Sequence, residues 1–329
     1  MSRVLILSKA DVESVLSMKE TIAVMETAFR ELSEGLAILP QRILIPTENG
    51  ISLYMPAFLP QTRSLAVKIV TVFENNPEKY NLPTILGKVL LQDPETGDVL
   101  AIMDGSYLTA MRTGAVSGCA IKYLARKDIQ SVGLFGTGVQ GSTQLWAACV
   151  ARPGVKHCKV YDVRKEAAEI FAQKMAGRLP NIDIEVVASS KEAIIGMDIV
   201  LTATTSPIPV FKGEWLDPGV HISAIGAYTP ETREVDTETV RRAKVVCDEF
   251  HSCLDEAGDL IIPMKEGVIT KEHFHAELGE IISGKKPGRE NESEITLFKS
   301  VGLAIQDAAT AKLVYDKARE MNKGIEVEI

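Results

Sequence analysis

Apolar and polar positions divide the chain into two parts with different periodicities. From about residue 129 onward, short apolar runs alternate with longer segments of helical spacing. The predicted strands are Val132–Phe135, Lys159–Tyr161, Ile184–Val187, Ile199–Ala203, His221–Ile225 and Val245–Asp248. One intervening segment, RKEAAEIFAQKMAGRL, is predicted to form a helix with Ala167, Ile170, Phe171 and Met175 on one face. This alternation predicts a doubly wound parallel sheet with helices on both sides.

The first 115 residues have a different pattern. Capping-box-like starts at Ser8 and Ser17 predict two helices, the second running to about Glu34. The strand candidates RILIP, SLYMPAF, LAVKIVTVF and KVLLQD follow, separated by the turn sequences TENG, PQTRS and DPETGD. Strands joined by tight turns predict an antiparallel or mixed sheet. A last helix, predicted at about 301–321, precedes the strand-like IEVEI and is expected to pack on this first part.

Together these patterns predict an α/β protein with two domains. Residues 116–304 are predicted to form a Rossmann domain. Residues 1–115 and 305–329 are predicted to form a mixed-sheet α+β domain.

Composition narrows the possible partners. The formal net charge of −8 over 329 residues argues against a nucleic-acid-binding surface. The longest apolar runs are too short to span a membrane, and no membrane association is predicted. Five cysteines without CxxC spacing indicate free thiols in a cytoplasmic protein. His273 and His275 are the only close histidine pair, and nothing nearby completes a metal site, so no metal is predicted.

The segment SVGLFGTGVQG predicts a dinucleotide-binding loop. Gly136 permits a tight turn, Gly138 allows the backbone to approach a pyrophosphate, and Gly141 allows close packing of helix and strand. Taken alone, GxGxxG is a weak signal. Here it follows a predicted strand and opens a predicted helix, which favours a nucleotide site over a ligand-free glycine turn.

An acidic residue at the end of the next strand supports this interpretation. Asp162 in VYDV lies 21 residues after Gly141. A carboxylate there binds both ribose hydroxyls and repels a 2′-phosphate, so NAD(H) is favoured, while the nearby Arg164 keeps NADP(H) possible. Thr204, at the end of a later strand, is predicted either to bind the cofactor or to cap the following loop.

Three cations stand out in the segments before the glycine loop. Lys68 lies inside the apolar strand pattern LAVKIVTV, Arg42 opens the RILIP strand, and Arg112 is predicted at the start of a small-residue helix. Each one alone is compatible with a side chain that reaches the surface. Together they predict a site for the carboxylate of a small-molecule substrate, because guanidinium groups bind carboxylates through paired hydrogen bonds.

Four segments resemble the ornithine cyclodeaminase/mu-crystallin family: LPTILGKVLLQDPETGDVLAIMDGSYLTAMRTGAVSG, GTGVQG, AIGAYTPETREVD and GRENESEITLFKSVGLAIQD. The resemblance covers nearly the whole chain. It implies a homodimer whose protomer combines a Rossmann domain with a domain for substrate binding and dimerisation.

The resemblance also implies roles for individual residues. Arg42, Lys68 and Arg112 would hold the substrate carboxylate, with Arg112 also near the cofactor, and Val301 would lie beside the substrate. The residues implied to line the nucleotide site are Thr84, Val139, Gln140, Asp162, Thr204 and Ser300.

The chain departs from the cyclodeaminases at two positions. Tyr228 replaces an aspartate, and Leu53 replaces a glutamate, so both carboxylates expected to bind a diamino substrate are missing. Burial of a distal ammonium without a partner is costly. The resemblance is therefore closer to ketimine reductases and to archaeal alanine dehydrogenases.

We therefore expect an NAD(P)H-dependent oxidoreductase that moves hydride to or from the α-carbon of a small amino or imino acid. Lys68 is the predicted proton donor or acceptor, because neighbouring arginines lower its pKa. Tyr228 is predicted to assist catalysis or to form a pocket wall. Two alternatives stay open: a true ornithine cyclodeaminase, and a protein that binds nucleotide and a small ligand without turnover.

Overall fold

The computed structural model describes residues 3–329, which form two compact units. Unit 1 contains the described residues up to Arg112 together with Leu303–Ile329, and unit 2 is Thr113–Gly302. The divisions thus follow residues 112 and 302, whereas the sequence pattern predicts them after 115 and 304.

Unit 1 is built on a seven-stranded mixed sheet. Its strands are β1 (Arg3–Leu7), β2 (Ile43–Thr47), β3 (Gly50–Leu59), β4 (Ser64–Val72), β5 (Ile85–Gln92), β6 (Val99–Asp104) and β15 (Ile325–Glu328). The strand order is β15-β1-β6-β5-β4-β3-β2, in which only the β1–β6 pair is parallel. The mixed sheet predicted from the tight turns is therefore observed.

Four helices belong wholly to unit 1: α1 (Lys9–Val15), α2 (Met18–Ser33), α3 (Asn76–Tyr80) and α12 (Ala304–Glu320). Ser8 forms the expected capping box with Asp11. Helix α12 packs on α2, β3 and β4. The return of the C-terminal helix to the first part of the chain agrees with the prediction.

Unit 2 is a doubly wound α/β unit. Its strands are β7 (Ser131–Phe135), β8 (His157–Tyr161), β9 (Asp183–Val186), β10 (Ile199–Thr202), β11 (His221–Ala224), β12 (Lys244–Cys247), β13 (Phe274–Glu277) and β14 (Thr296–Lys299). They pair in parallel in the order β13-β12-β14-β11-β10-β7-β8-β9. The six predicted strands are present; of the two that were not predicted, β13 lies at the edge beside β12, and β14 lies between β12 and β11.

Helix α4 (Gly105–Leu124) connects the two units along the chain. The remaining helices lie in unit 2: α5 (Val139–Ala151), α6 (Lys165–Arg178), α7 (Ser190–Ile194), α8 (Thr237–Arg242), α9 (Phe250–Glu256), α10 (Gly258–Lys265) and α11 (Leu278–Ile282). Between residues 3 and 329, no helix has the length and apolar character needed to cross a bilayer.

Three local predictions were wrong. Arg112 lies in the interior of α4, not at its start, because the Asp104 side chain accepts the Tyr107 N–H and caps an earlier first turn. The last helix begins at Ala304, since Gly302 has a φ of +83°. On α6, the side chain of Ile170 is 67% exposed, and the buried face includes Ala168 instead.

Candidate active site

The glycine loop of unit 2 connects β7 to α5. Gly136 has a φ of +91°, and a Cβ there would lie 2.4 Å from the Ala203 carbonyl oxygen. A Cβ on Gly141 would lie 2.2 Å from the Gly136 oxygen. In contrast, a Cβ on Gly138 would meet nothing within 4 Å, and Gly138 caps α5 without a side-chain hydrogen bond. Gly136 and Gly141 are required by packing, whereas Gly138 leaves open space at a helix N-terminus.

Asp162 follows β8 beside this loop. Its Oδ2 accepts hydrogen bonds from Thr137 N at 3.0 Å and Thr137 Oγ1 at 2.7 Å, and its Oδ1 accepts from Arg164 N at 3.0 Å. Burial acts to raise the pKa of Asp162, but these hydrogen bonds and the Arg164 charge outweigh it and lower the pKa. Asp162 is therefore a fixed carboxylate at the mouth of the glycine loop.

The loop and Asp162 line a cleft of about 600 Å³ in unit 2. The lining residues are Phe135, Gly136, Thr137, Gly138, Tyr161, Asp162, Val163, Arg164, Ala203, Thr204, Thr205, Ser206, Pro207 and Val210. Val139 and Gln140 are the first two residues of α5, and Val139 is exposed. Free N–H groups of α5, the space over Gly138 and a fixed carboxylate suit the pyrophosphate and ribose of NAD(H).

Thr204 of this cleft is held by a buried acidic network. Glu234 Oε1 accepts hydrogen bonds from Thr204 N at 2.6 Å and Thr204 Oγ1 at 2.8 Å, while its Oε2 accepts from Gly226 N at 2.6 Å. Thr204 Oγ1 also accepts the Ser206 N–H at 3.2 Å. Thr204 therefore lines the cleft and caps the next loop as well.

Beneath Glu234 lies a fully buried ion pair. Lys299 Nζ lies 2.6 Å from Asp259 Oδ2, and the Asp259 Oδ1 accepts the Glu234 N–H at 2.6 Å. Burial, reinforced by the Asp259 charge, raises the pKa of Glu234. Lys299 also donates to the Ala227 carbonyl at 2.6 Å, next to the half-exposed Tyr228. This network fixes the loops that follow β10 and β11.

Asp248 plays the same part for the loop after β14. Its Oδ2 accepts from Ser300 Oγ at 2.6 Å and from the N–H groups of Val301 and Gly302 at 2.9 Å each. Ser300 is buried, and Val301 is partly exposed. The Ser300 hydroxyl is therefore committed to Asp248, and its predicted contact with the nucleotide stays a prediction.

The cations predicted to bind a carboxylate come together in unit 1. Lys68 is buried in β4, and its Nζ lies 2.7 Å from Asp307 Oδ2. Arg112 Nε donates to Asp307 Oδ1 at 3.0 Å. Burial lowers the pKa of Lys68 to about 8. The charge of Asp307 opposes this shift, whereas the charges of Arg112 and Arg42 add to it. Arg42, which directly precedes β2, therefore lies within electrostatic range of Lys68.

Gln306 completes this cluster. Its Oε1 accepts a hydrogen bond from Arg112 Nη1. Its Nε2 is buried and has no hydrogen-bond partner within residues 3–329. Thr84, predicted to contact the nucleotide, is a partly buried residue of unit 1 immediately before β5.

The partners of these residues were not predicted from the sequence: the carboxylates of Asp307, Glu234, Asp259 and Asp248, and the neutral amide of Gln306. For Asp307 a signal was present, since a carboxylate between Ile305 and an Ala-Ala-Thr-Ala run is unusual on a buried helix. A buried lysine in an apolar strand requires such a partner somewhere in the chain.

Known proteins share this architecture over the full length. One solved structure is that of Thermococcus litoralis Δ1-pyrroline-2-carboxylate reductase in complex with NADH and L-proline, whose sequence is 51% identical to this chain. The two structures superpose with a TM-score of 0.94, over 98% of this chain and 100% of that one. An archaeal alanine dehydrogenase dimer with bound NAD is 40% identical, with a TM-score of 0.93 and 99% coverage of both chains.

Among curated proteins, the alanine dehydrogenase of Archaeoglobus fulgidus is 40% identical over 324 residues, which is 98% of each chain. The family model for ornithine cyclodeaminase/mu-crystallin proteins matches residues 3–322. The chain belongs to the ornithine cyclodeaminase/mu-crystallin family.

Proposed function

We propose that this protein reduces Δ1-pyrroline-2-carboxylate to L-proline with NADH. The broader expectation, an NAD(H)-dependent oxidoreductase for small amino or imino acids, is confirmed by its relatives. The relative with 51% identity is a reductase of this imino acid with NADH and proline bound, which favours the cyclic substrate.

The observation that carries the proposal is the shared carboxylate in unit 1. Lys68 and Arg112 are 2% and 6% exposed, and both bind the single carboxylate of Asp307. Two buried cations against one anion leave an excess positive charge, which is costly unless an anionic ligand compensates it. The substrate carboxylate is the anion that this arrangement selects.

The neighbouring side chains favour a substrate without a distal ammonium. In the sheet, Met55 lies opposite Lys68 and Leu53 lies opposite Val70, so Leu53 shares a face with Met55 and Lys68. Leu53 occupies the position of the cyclodeaminase glutamate and offers only apolar contact. It suits the methylene groups of a pyrroline ring.

The chemistry consists of one hydride and one proton. Bound NADH would supply the hydride that adds to C2 of the imino acid. Arg112 and Lys68 hold the carboxylate, which restricts the orientation of C2. The Lys68 ammonium gives a proton to the ring nitrogen as the C=N double bond becomes a single bond. Solvent then returns a proton to Lys68.

One edge of the unit 1 sheet is a candidate contact with a second copy of this chain. Strand β2 lies at that edge, and Ile43, Leu44 and Ile45 are between 47% and 56% exposed. An edge strand with such exposed apolar side chains is prone to pair with another chain. The archaeal alanine dehydrogenase neighbour is a dimer. We therefore propose a homodimer that buries β2.

A substrate panel tests the reaction. With NADH, kcat/KM for Δ1-pyrroline-2-carboxylate should exceed that for pyruvate plus ammonium by about tenfold or more, because the ring buries two more carbons at about 0.8 kcal/mol each. Higher activity with pyruvate would make the protein an alanine dehydrogenase. Formation of proline from ornithine with catalytic NAD would establish a cyclodeaminase, and tight NADH binding without any turnover would indicate a binding protein.

The role of Lys68 predicts a pH dependence. The reduction needs the charged amine, so kcat/KM should fall as pH rises through about 8, where the pKa of Lys68 lies. Proline oxidation needs the neutral amine and should rise through the same pH. Lys68→Met should lose about 100-fold or more in kcat/KM.

Two measurements check the Lys68 variant. Titration of NADH by fluorescence should give nearly the wild-type Kd, because Lys68 lies outside the unit 2 cleft. If Lys68→Met retained activity and its kcat/KM still fell through about pH 8, another group would be the acid.

Gly138→Ala tests the cofactor cleft. The added methyl group meets no protein atom within 4 Å but occupies the space where the pyrophosphate approaches the backbone. The Kd for NADH should rise about tenfold or more, while the loss of stability stays below about 1 kcal/mol. Gly177→Ala on α6, where a Cβ also meets nothing within 4 Å, is the matched control. Equal NADH affinity in both variants would contradict binding at this loop.

Leu44→Glu tests the dimer. A charge on β2 should convert the protein to a monomer in light scattering at micromolar concentration, because burial of an unpaired carboxylate is unfavourable. Ile325→Glu, on the exposed strand β15 at the opposite edge of the same sheet, should leave the dimer intact. Dissociation by Ile325→Glu alone would place the interface at the other edge.

A further inference from the structure

Helix α12 carries two consecutive polar residues between buried apolar residues of the same helix. Gln306 and Asp307 are 0% and 1% exposed, and the flanking Ile305 and Ala308 are equally buried. A carboxylate at this depth is retained only when cations and hydrogen bonds compensate its lost hydration. Asp307 therefore depends on the residues that it contacts.

The contacts of Asp307 fix two cations at once. One oxygen lies 2.7 Å from Lys68 Nζ, and the other accepts from Arg112 Nε at 3.0 Å. Gln306 accepts from another nitrogen of the same guanidinium. Helix α12 thus holds Arg112 at two points and Lys68 at one. A guanidinium has five N–H donors and an ammonium has three, so these contacts do not exhaust the donors of either cation.

We infer that Asp307 is the positioning residue of the carboxylate site: it orients Lys68 and Arg112 toward the substrate and places a negative charge beside the buried Lys68 ammonium. The inference rests on the proposed function, since it assigns Asp307 a part in that reaction. Gln306 Nε2, a buried donor with no partner in the described chain, adds a third hydrogen bond for the same anion.

The charge around Lys68 determines what loss of Asp307 does. Arg112 on α4 and Arg42 before β2 are both positive and lower the pKa of Lys68, whereas Asp307 on α12 raises it. Strand β3 has no charged residue. On β5, Val89 lies opposite Lys68, so Lys88 points to the other face of the sheet. Asp307 is therefore the negative charge that keeps Lys68 protonated.

The test is the pH profile of Asp307→Asn. We expect kcat/KM for Δ1-pyrroline-2-carboxylate, measured with saturating NADH, to fall at high pH in both proteins. In Asp307→Asn this fall, the high-pH limb of the profile, should occur at a pH lower by about 1 or more than in wild type. A limb displaced by that much makes the loss of activity relative to wild type about tenfold greater at pH 9 than at pH 6. A purely structural role would lower activity by the same factor at every pH.

Two variants separate charge from geometry. Asp307→Glu keeps the negative charge, so its limb should stay at the wild-type pH while kcat/KM falls because the carboxylate is displaced. Asp316→Asn removes an exposed carboxylate from the same helix, where it pairs with Lys312, and should match wild type in both respects. Thermal unfolding and NADH titration establish that each variant is folded.

A second readout does not require turnover. Calorimetric binding of pyrrole-2-carboxylate, a planar anion of the same size, should weaken with rising pH, and at lower pH in Asp307→Asn than in wild type. Wild-type binding without turnover would contradict the proposed reaction alone. Three results would overturn the inference. The first is a pH profile of kcat/KM for Asp307→Asn that runs parallel to the wild-type profile, and the second is an equal displacement of the high-pH fall in Asp307→Asn and Asp307→Glu. The third is a wild-type protein that does not bind pyrrole-2-carboxylate at any pH.

Discussion

The burial of Lys68 is the constraint on which the proposed substrate site depends. A lysine placed inside an apolar strand loses its hydration, and neither its own strand nor the neighbouring β3 and β5 contains a carboxylate. The compensation comes from Asp307, far along the chain, and Asp307 is shared with Arg112. One anion for two cations leaves the site positive. Asp307 therefore compensates only part of the buried positive charge, and the proposal of an anionic ligand rests on the remainder.

In unit 2, buried carboxylates likewise contact several groups at once, but these groups belong to loops. Glu234 and Asp248 each accept backbone N–H groups from segments that follow β10, β11 and β14. These segments leave the carboxyl ends of parallel strands, where backbone donors have no ladder partner. A buried carboxylate satisfies several donors at once and gives each loop a fixed conformation. The cleft over the glycine loop is thus bordered by the loop after β10, which Glu234 holds, a property that the glycine motif alone does not provide.

Much of the architecture was predictable from the sequence because it depends on local patterns. Apolar periodicity located the six strands around the nucleotide loop, and turn residues indicated the mixed sheet. Arg112 was misplaced because the cap at Asp104 is less conspicuous than the small residues after it. Strand β13 was missed because its four residues, FHAE, contain two polar side chains. Local sequence contains little information on such short segments.

The site was predictable only in part, for a different reason. A cation in an apolar strand is visible in the sequence, but its partner is not, since pairing depends on tertiary structure. Lys68 and Asp307 are separated by all of unit 2 along the chain. Closing so long a loop is entropically costly, so the contact forms only if the packing of α12 on β3 and β4 repays that cost. Completion of the carboxylate site is therefore coupled to docking of the last helix, and a chain that lacks α12 would have two buried cations without their anion.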